Sequence, residues 1–163
     1  MDAIKVISLI FVPLFFSSLA LSNSITEYNH ALLRYEHKIV ECSALKNKKF
    51  SDSPPSNFKD QDIREALMYF IMKTSEECSG DERQVLLSSI ENLTLSGSVS
   101  DFILSNAKSL LITFKENDMK LKLQKEKFFD LNIDVQKALK SIEAFSRPFD
   151  PLMAVEHYID SQK

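Results

Sequence analysis

Apolar residues recur along most of the chain with the period of an α-helix. Near the start, the apolar positions separated alternately by three and four residues are Ile25, Tyr28, Leu32, Tyr35, Ile39 and Cys42. That spacing places them on one side of a helix, whereas a half-buried strand would alternate every second residue. Ser24 and Glu27 have the spacing of a capping box, which satisfies amides at a helix start. A first helix is therefore predicted from Ser24 to about Leu45.

Two further helices are predicted between residues 60 and 93. The first runs from about Asp60 to Cys78, and its inward apolar positions are Ile63, Ala66, Leu67, Phe70, Ile71 and Cys78. Gly80 is predicted to end it, because glycine readily takes the left-handed conformation found after helix C-termini. A short helix from Asp81 to Leu93 follows, and it carries the apolar residues Val85, Leu86, Ile90 and Leu93.

The most regular apolar pattern runs from Ile103 to Phe145 at spacings of three, four or seven residues. One unbroken helix over this stretch would be about 65 Å long, more than a single small domain covers. A break is therefore predicted near Asn117-Asp118 or near Asp130-Leu131-Asn132. Asp150-Pro151 is typical of an N-cap followed by the first helical residue, so a short terminal helix is predicted over residues 150–159.

Cys42 and Cys78 are the two cysteines of the chain, and both lie on apolar helical stripes. They predict one disulfide, a bond that persists in oxidising compartments. Both fall near the predicted C-terminal ends of their helices, and bonded cysteines need Cα atoms within about 7 Å. We therefore expect these two helices to run roughly parallel or to cross steeply. The linker over residues 46–59 contains Pro54-Pro55, which precludes a helix there, and it can extend to about 45 Å.

The N-terminal residues have the pattern of a secretory signal peptide. An apolar stretch over residues 6–16 is followed by small residues that permit cleavage before Asn23 or before Leu21. We expect residues 1–22 to be removed and residues 23–163 to form one domain in an extracytoplasmic location, either secreted or periplasmic. The predicted fold class is an all-α, single-domain bundle of about five to six helices with one interhelical disulfide.

Composition and charge exclude several classes of function. The chain contains two glycines, so glycine-rich phosphate-binding loops and dinucleotide fingerprints are excluded. A formal net charge of −3 argues against nucleic acid as the partner.

Residues that could bind metal or catalyse a reaction form no convincing set. Glu27 and His30 make one Glu-x-x-His motif, whereas carboxylate di-iron bundles use two. His30 and His37 are about 10 Å apart on a helix, too far to hold one ion together. We interpret the stripe that also contains Arg34 and Glu41 as a solvated face. A Gly-x-Ser-x-Gly nucleophile motif is absent from the sequence, so we expect a non-enzymatic protein without a cofactor or metal.

A run of lysines is the clearest charge feature. Its members are Lys115, Lys120, Lys122, Lys125 and Lys127. Interleaved apolar residues make this a candidate patch for an acidic protein partner or a membrane surface, although most such runs are solvated helix faces.

Asn92-Leu93-Thr94 is an N-glycosylation sequon, which matters in a eukaryotic secretory pathway.

Together these features favour a non-enzymatic, extracytoplasmic helical bundle that binds another protein, as an inhibitor, an immunity-type protein or a secreted ligand. One alternative is a carrier of an apolar small molecule or lipid in the bundle interior, because the chain has 12 phenylalanines. A second alternative is an amphipathic protein that contacts a membrane surface through the lysine run.

Overall fold

The computed structural model describes residues 4–46, 58–96 and 99–161, with side chains over residues 23–159 of those ranges. Its five α-helices are α1 (Ile4–Leu45), α2 (Asp60–Leu95), α3 (Asp101–Asp130), α4 (Ile133–Lys140) and α5 (Pro151–Ser161). A short 3₁₀ helix, Glu143–Ser146, lies between α4 and α5. No strand occurs in the described ranges, and the predicted all-α fold with one disulfide is confirmed. Most of the predicted linker over residues 46–59 lies outside the described residues.

Helix α1 begins at Ile4, so the start predicted at Ser24 is wrong. Neither glycine nor proline occurs between Leu14 and Leu45, and nothing in that stretch stops a helix. The Glu27 carboxylate accepts a hydrogen bond from the Asn23 amide one turn earlier, at 2.7 Å. This is a side-chain pair on a continuous helix rather than a capping box at its first turn.

Helix α2 continues through Gly80, so the break predicted there is also wrong. A single glycine inside a helix costs about 1 kcal/mol relative to alanine, which packing on either side can offset. A Cβ at Gly80 would meet nothing nearer than the Glu76 Oε1 atom at 3.7 Å. Residues 60–95 therefore form one helix of 36 residues instead of two.

The long C-terminal pattern breaks at the second of the two predicted places. Helix α3 runs through Asn117 and ends at Asp130. Asn132 then caps α4, because its Oδ1 accepts a hydrogen bond from the Asp134 amide at 2.8 Å. The buried Gln136 side chain donates to the carbonyls of Phe129 and Leu131, at 3.0 and 2.9 Å. These bonds satisfy carbonyl groups that the end of α3 leaves without helical partners.

The terminal helix forms as its sequence predicts, with two more residues at its end. Asp150 Oδ1 accepts a hydrogen bond from the Leu152 amide at 2.8 Å, which is the contact expected of an N-cap. Pro151 occupies the first helical position, where its missing N–H costs nothing.

The chain forms two compact units, each built from two separate stretches of sequence. Unit 1 combines Met1–Tyr35 with Glu82–Ile112, and unit 2 combines Glu36–Asp81 with Thr113–Lys163. The buried apolar side chains of unit 1 are Tyr28, Ala31, Leu86, Ile90, Leu93 and Ala107.

The core of unit 2 is a cluster of stacked aromatic rings. Phe128 is fully buried, and its ring centroid lies 4.8 Å from that of Tyr69 and 5.1 Å from that of Phe70. Phe145 stacks on Phe70 with ring centroids 4.9 Å apart, and it also contacts Phe149. Phe128 and Phe145 of the long apolar pattern therefore help to fill this core.

Cys42 and Cys78 are bonded, with their Cα atoms 6.0 Å apart, within unit 2. The bond is as predicted, but the inference of parallel or steeply crossing helices rested on Cys78 lying at a helix end. Because α2 continues to Leu95, Cys78 lies in the middle of its helix and the disulfide places no such requirement on helix direction.

Candidate functional site

Unit 1 contains a groove between α1 and α2 with a volume of about 680 Å³. We call it the unit 1 groove. The residues that line it from α1 are Thr26, Glu27, His30, Ala31 and Arg34. The residues that line it from α2 are Gln84, Val85, Ser88, Ser89 and Asn92.

Polar side chains line both walls of the unit 1 groove at helical spacing. On α2, Gln84, Ser88 and Asn92 follow one another every four residues, and all three are exposed. On α1, His30 and Arg34 have the same separation. Because residues four apart lie one above another on a helix, each wall presents about one hydrogen-bonding side chain per turn.

The side chains that form the floor between these walls are short and uncharged. Ala31 and Ser89 are buried, and the Ser89 hydroxyl donates to the Leu86 carbonyl at 2.7 Å. Val85 is 44% exposed although it is one of the apolar residues of this stretch. Its place in the wall of the groove explains that exposure.

The charged side chains of the unit 1 groove form only a weak ion pair. Arg34 lies 4.0 Å from the Glu82 carboxylate, and the Arg34 side chain is 63% exposed. An exposed ion pair of this length contributes little, about 1 kcal/mol at most. The guanidinium group can therefore turn to a new partner at small cost.

The structure divides the charged stripe of α1 that the sequence suggests is a solvated face. Glu27, His30 and Arg34 line the unit 1 groove, whereas His37 Nδ1 lies 3.3 Å from the Glu41 carboxylate on an exposed surface. The groove could not be predicted from the pattern of α1 alone, because it forms only where α1 and α2 lie side by side. The available signal was that α2 carries a matching row of polar residues at the same spacing.

Unit 2 contains a smaller groove of about 340 Å³ between the start of α2 and α5, which we call the unit 2 groove. Its lining residues are Asp60, Ile63, Arg64, Leu67, Val155, Tyr158 and Ile159. The Tyr158 hydroxyl lies 3.1 Å from Asp60 Oδ1 and 3.2 Å from the Phe58 carbonyl, and it can donate to either. These contacts join the terminal helix to the start of α2.

We expect the free energy of unfolding to fall as pH rises above about 10. Burial raises the pKa of Tyr158, and its hydrogen bond to Asp60 raises it further. Burial also raises the pKa of Tyr69. Unfolded tyrosines ionise near pH 10, so above that pH the unfolded state binds fewer protons than the folded state. This stabilisation is fully present below about pH 10 and is lost as pH passes the folded pKa values.

Urea unfolding midpoints measured from about pH 8 to pH 11 test this expectation. Tyr158→Phe should make the decline shallower, because one of the two raised pKa values is removed. A decline as steep as that of the parent would contradict the assignment to Tyr158.

The lysine run does not form one basic face. All five lysines are exposed on α3. At 3.6 residues per turn, Lys115, Lys122 and Lys125 lie on one side of α3, and Lys120 and Lys127 lie on another. Their charge is therefore divided between two sides of the helix.

Asn92 is exposed on α2 and lines the unit 1 groove. A glycan attached there would stand beside the groove. Among the residues whose side chains are described, no three His, Cys, Asp or Glu residues come together as a metal site.

Comparisons of the chain with protein-family models, curated proteins and solved structures found no match. Within the described residues, no helix combines the length and the apolar character that crossing a membrane requires. What the protein does is therefore inferred from its own residues.

Proposed function

We propose that this protein is a non-enzymatic binding protein that holds an α-helix of a partner protein in the unit 1 groove. The observation that supports this is the pair of polar rows on its walls. Gln84, Ser88 and Asn92 rise about 6 Å per step along α2. A partner helix lying along the groove presents side chains at a similar step of 5.4 Å per turn, so successive residues meet successive groups.

The floor of the groove favours the same occupant. Ala31 and Ser89 are short, so a partner helix can approach closely, and Val85 offers apolar surface to a narrow seam on that helix. Packed helices have axes about 8 to 10 Å apart, and small residues at the contact favour the shorter distances. The partner helix would carry a narrow apolar stripe flanked by polar residues, which is the pattern of helix-in-groove recognition.

The two alternative functions, a lipid carrier and a membrane-surface protein, gain less support. The aromatic rings of unit 2 occupy the interior in which a carried lipid would lie, with centroids such as those of Phe128 and Tyr69 4.8 Å apart. The lysines of α3 are divided between two sides of the helix, whereas membrane-surface helices concentrate them on one face.

We propose an extracytoplasmic location for this activity. The Cys42–Cys78 disulfide is consistent with an oxidising compartment, where such bonds persist. The signal-peptide pattern over residues 1–22 supports export by the secretory route.

A substitution that obstructs the unit 1 groove tests this proposal. In Ser88→Arg, a long charged side chain replaces an exposed short one on the wall, so it should occupy the space of the partner helix without disturbing the core. The immobilised parent and variant would be exposed to fluid from the native compartment, and captured proteins quantified by mass spectrometry. We expect a protein enriched by the parent to fall by about tenfold or more on Ser88→Arg.

Ser105→Arg is the matched control, because Ser105 is an exposed serine of the same unit that does not line the groove. The control should capture the same protein as the parent. Equal capture by Ser88→Arg and the parent would contradict the groove as the binding site.

A further inference from the structure

We propose that the unit 2 groove binds a small amphiphile with one alkyl chain and an anionic headgroup. This site lies in unit 2 and does not depend on the protein partner proposed for unit 1. Three features support it: an apolar lining from two helices, a cation at its rim, and a volume suited to one chain.

The lining is built from one face of each helix. On α2, Ile63 and Leu67 are four residues apart and both are buried, so they form an apolar base. On α5, Val155 and Ile159 are also four apart, and they remain 36% and 51% exposed. Apolar surface left open to water beside a buried apolar base favours a ligand that covers it.

The cation is Arg64, on the same face of α2 as the apolar base. Its side chain is exposed, and it forms no ion pair with any residue that the structure describes. A guanidinium group carries five N–H donors in a planar fork that matches a carboxylate or phosphate. Arg64 can therefore hold an anionic headgroup at the mouth of the groove while the alkyl chain lies on Ile63 and Leu67.

Asp60 is the opposing charge among the lining residues. Its Oδ1 atom lies within hydrogen-bond distance of the Tyr158 hydroxyl, so the carboxylate is directed toward that side chain. An anionic headgroup would bind on the Arg64 side and away from Asp60. Removing the Asp60 charge while keeping its acceptor oxygen should strengthen binding.

The size of the groove selects among apolar occupants. About 340 Å³ is near the lower end of the range for ligand pockets, roughly 300 to 1,000 Å³. An α-helix with its side chains is about 10 Å across and would not enter such a space. A single alkyl chain of medium length fits.

The test measures dissociation constants for hexanoate, octanoate and decanoate by NMR titration of the whole protein, below their micellar concentrations. Affinity should rise about fourfold per added methylene until the groove is filled. Octanol should bind about tenfold more weakly than octanoate, because it lacks the charge that pairs with Arg64. Binding to vesicles of anionic lipid is measured separately, because their anionic headgroups are on alkyl chains held within a bilayer. This measurement distinguishes a free amphiphile from a membrane surface.

Variants locate the site. Arg64→Gln should weaken octanoate binding about tenfold, Arg64→Lys should weaken it less, and Asp60→Asn should strengthen it. Lys137→Gln is the matched control, because Lys137 is an exposed cation of the same unit outside the groove. Ile159→Ser should weaken binding, whereas Leu152→Ser, on the same helix but outside the groove, should not.

Four outcomes would overturn the proposal. They are the absence of saturable octanoate binding, equal binding of octanol, equal losses in Arg64→Gln and Lys137→Gln, and binding to anionic vesicles without binding to free octanoate. Circular dichroism of each variant shows that it is folded. If Arg64→Gln fails to fold, the comparison of Arg64→Lys with Lys137→Gln decides in its place.

Discussion

Replacing Phe128 with alanine should lower the free energy of unfolding by about 3 to 5 kcal/mol. The Phe128 side chain is fully buried, and its ring contacts those of Tyr69 and Phe70 at centroid distances of 4.8 and 5.1 Å. Removing it opens a cavity between α2 and α3 that neighbouring rings fill only in part. Well-oriented aromatic pairs add about 0.5 to 1.5 kcal/mol beyond the area that they bury. Phe128 also pairs edge-on with Phe129 at 5.5 Å, so three such pairs would be lost.

Urea unfolding of the parent and of Phe128→Ala, followed by circular dichroism, measures this loss. Phe102→Ala is the matched control, because Phe102 is a phenylalanine of the same helix that is 74% exposed. The control should change stability by about 0.5 kcal/mol or less. Equal effects of the two substitutions would contradict the placement of Phe128 at the centre of the unit 2 core.

The regular part of the fold could be predicted from the sequence because burial repeats with the helical period. Phe114 and Phe128 are spaced so that both lie on the same side of α3, and both are buried. The same argument identified the disulfide, since both cysteines lie on apolar stripes. These features depend on spacing along one helix, which the chain displays directly.

Helix boundaries could not be predicted as well, because they depend on small energies set by the surroundings. Gly80 costs α2 about 1 kcal/mol, and nothing in its immediate neighbours shows that the helix continues. The break after Asp130 needs Asn132 as a cap and the Gln136 amide on two carbonyls. Gln136 reaches back five and seven residues, and such contacts exist only once the break has formed.

The two grooves depend on which helices lie side by side, and periodicity within one helix does not supply that. The exposed polar row of α2 becomes one wall of a candidate binding groove only because His30 and Arg34 of α1 lie opposite it. Likewise, Arg64 becomes a candidate binding residue because α5 brings Val155 and Ile159 beside it.

Loss of the disulfide should lower the free energy of unfolding by about 3 to 4 kcal/mol while leaving partner binding intact. The bond joins residues 36 apart in sequence, and closing a loop of that length restricts the unfolded chain by about this amount in the entropy model. Cys42 is buried, and neither cysteine lines the unit 1 groove, so the bond has no direct role at the proposed partner site.

Thermal melts and capture assays of a Cys42→Ser/Cys78→Ser double variant test both parts of this expectation. The parent melted in a reducing agent is its control, because it loses the same bond while keeping both cysteines. Both should melt at a similarly lowered temperature, and the double variant should capture the same protein below its own melting point. An unchanged melting temperature would show that the bond does not stabilise the fold. A folded variant that no longer captured the partner would show that the cysteines act in function as well as in stability, contrary to a binding site confined to the unit 1 groove.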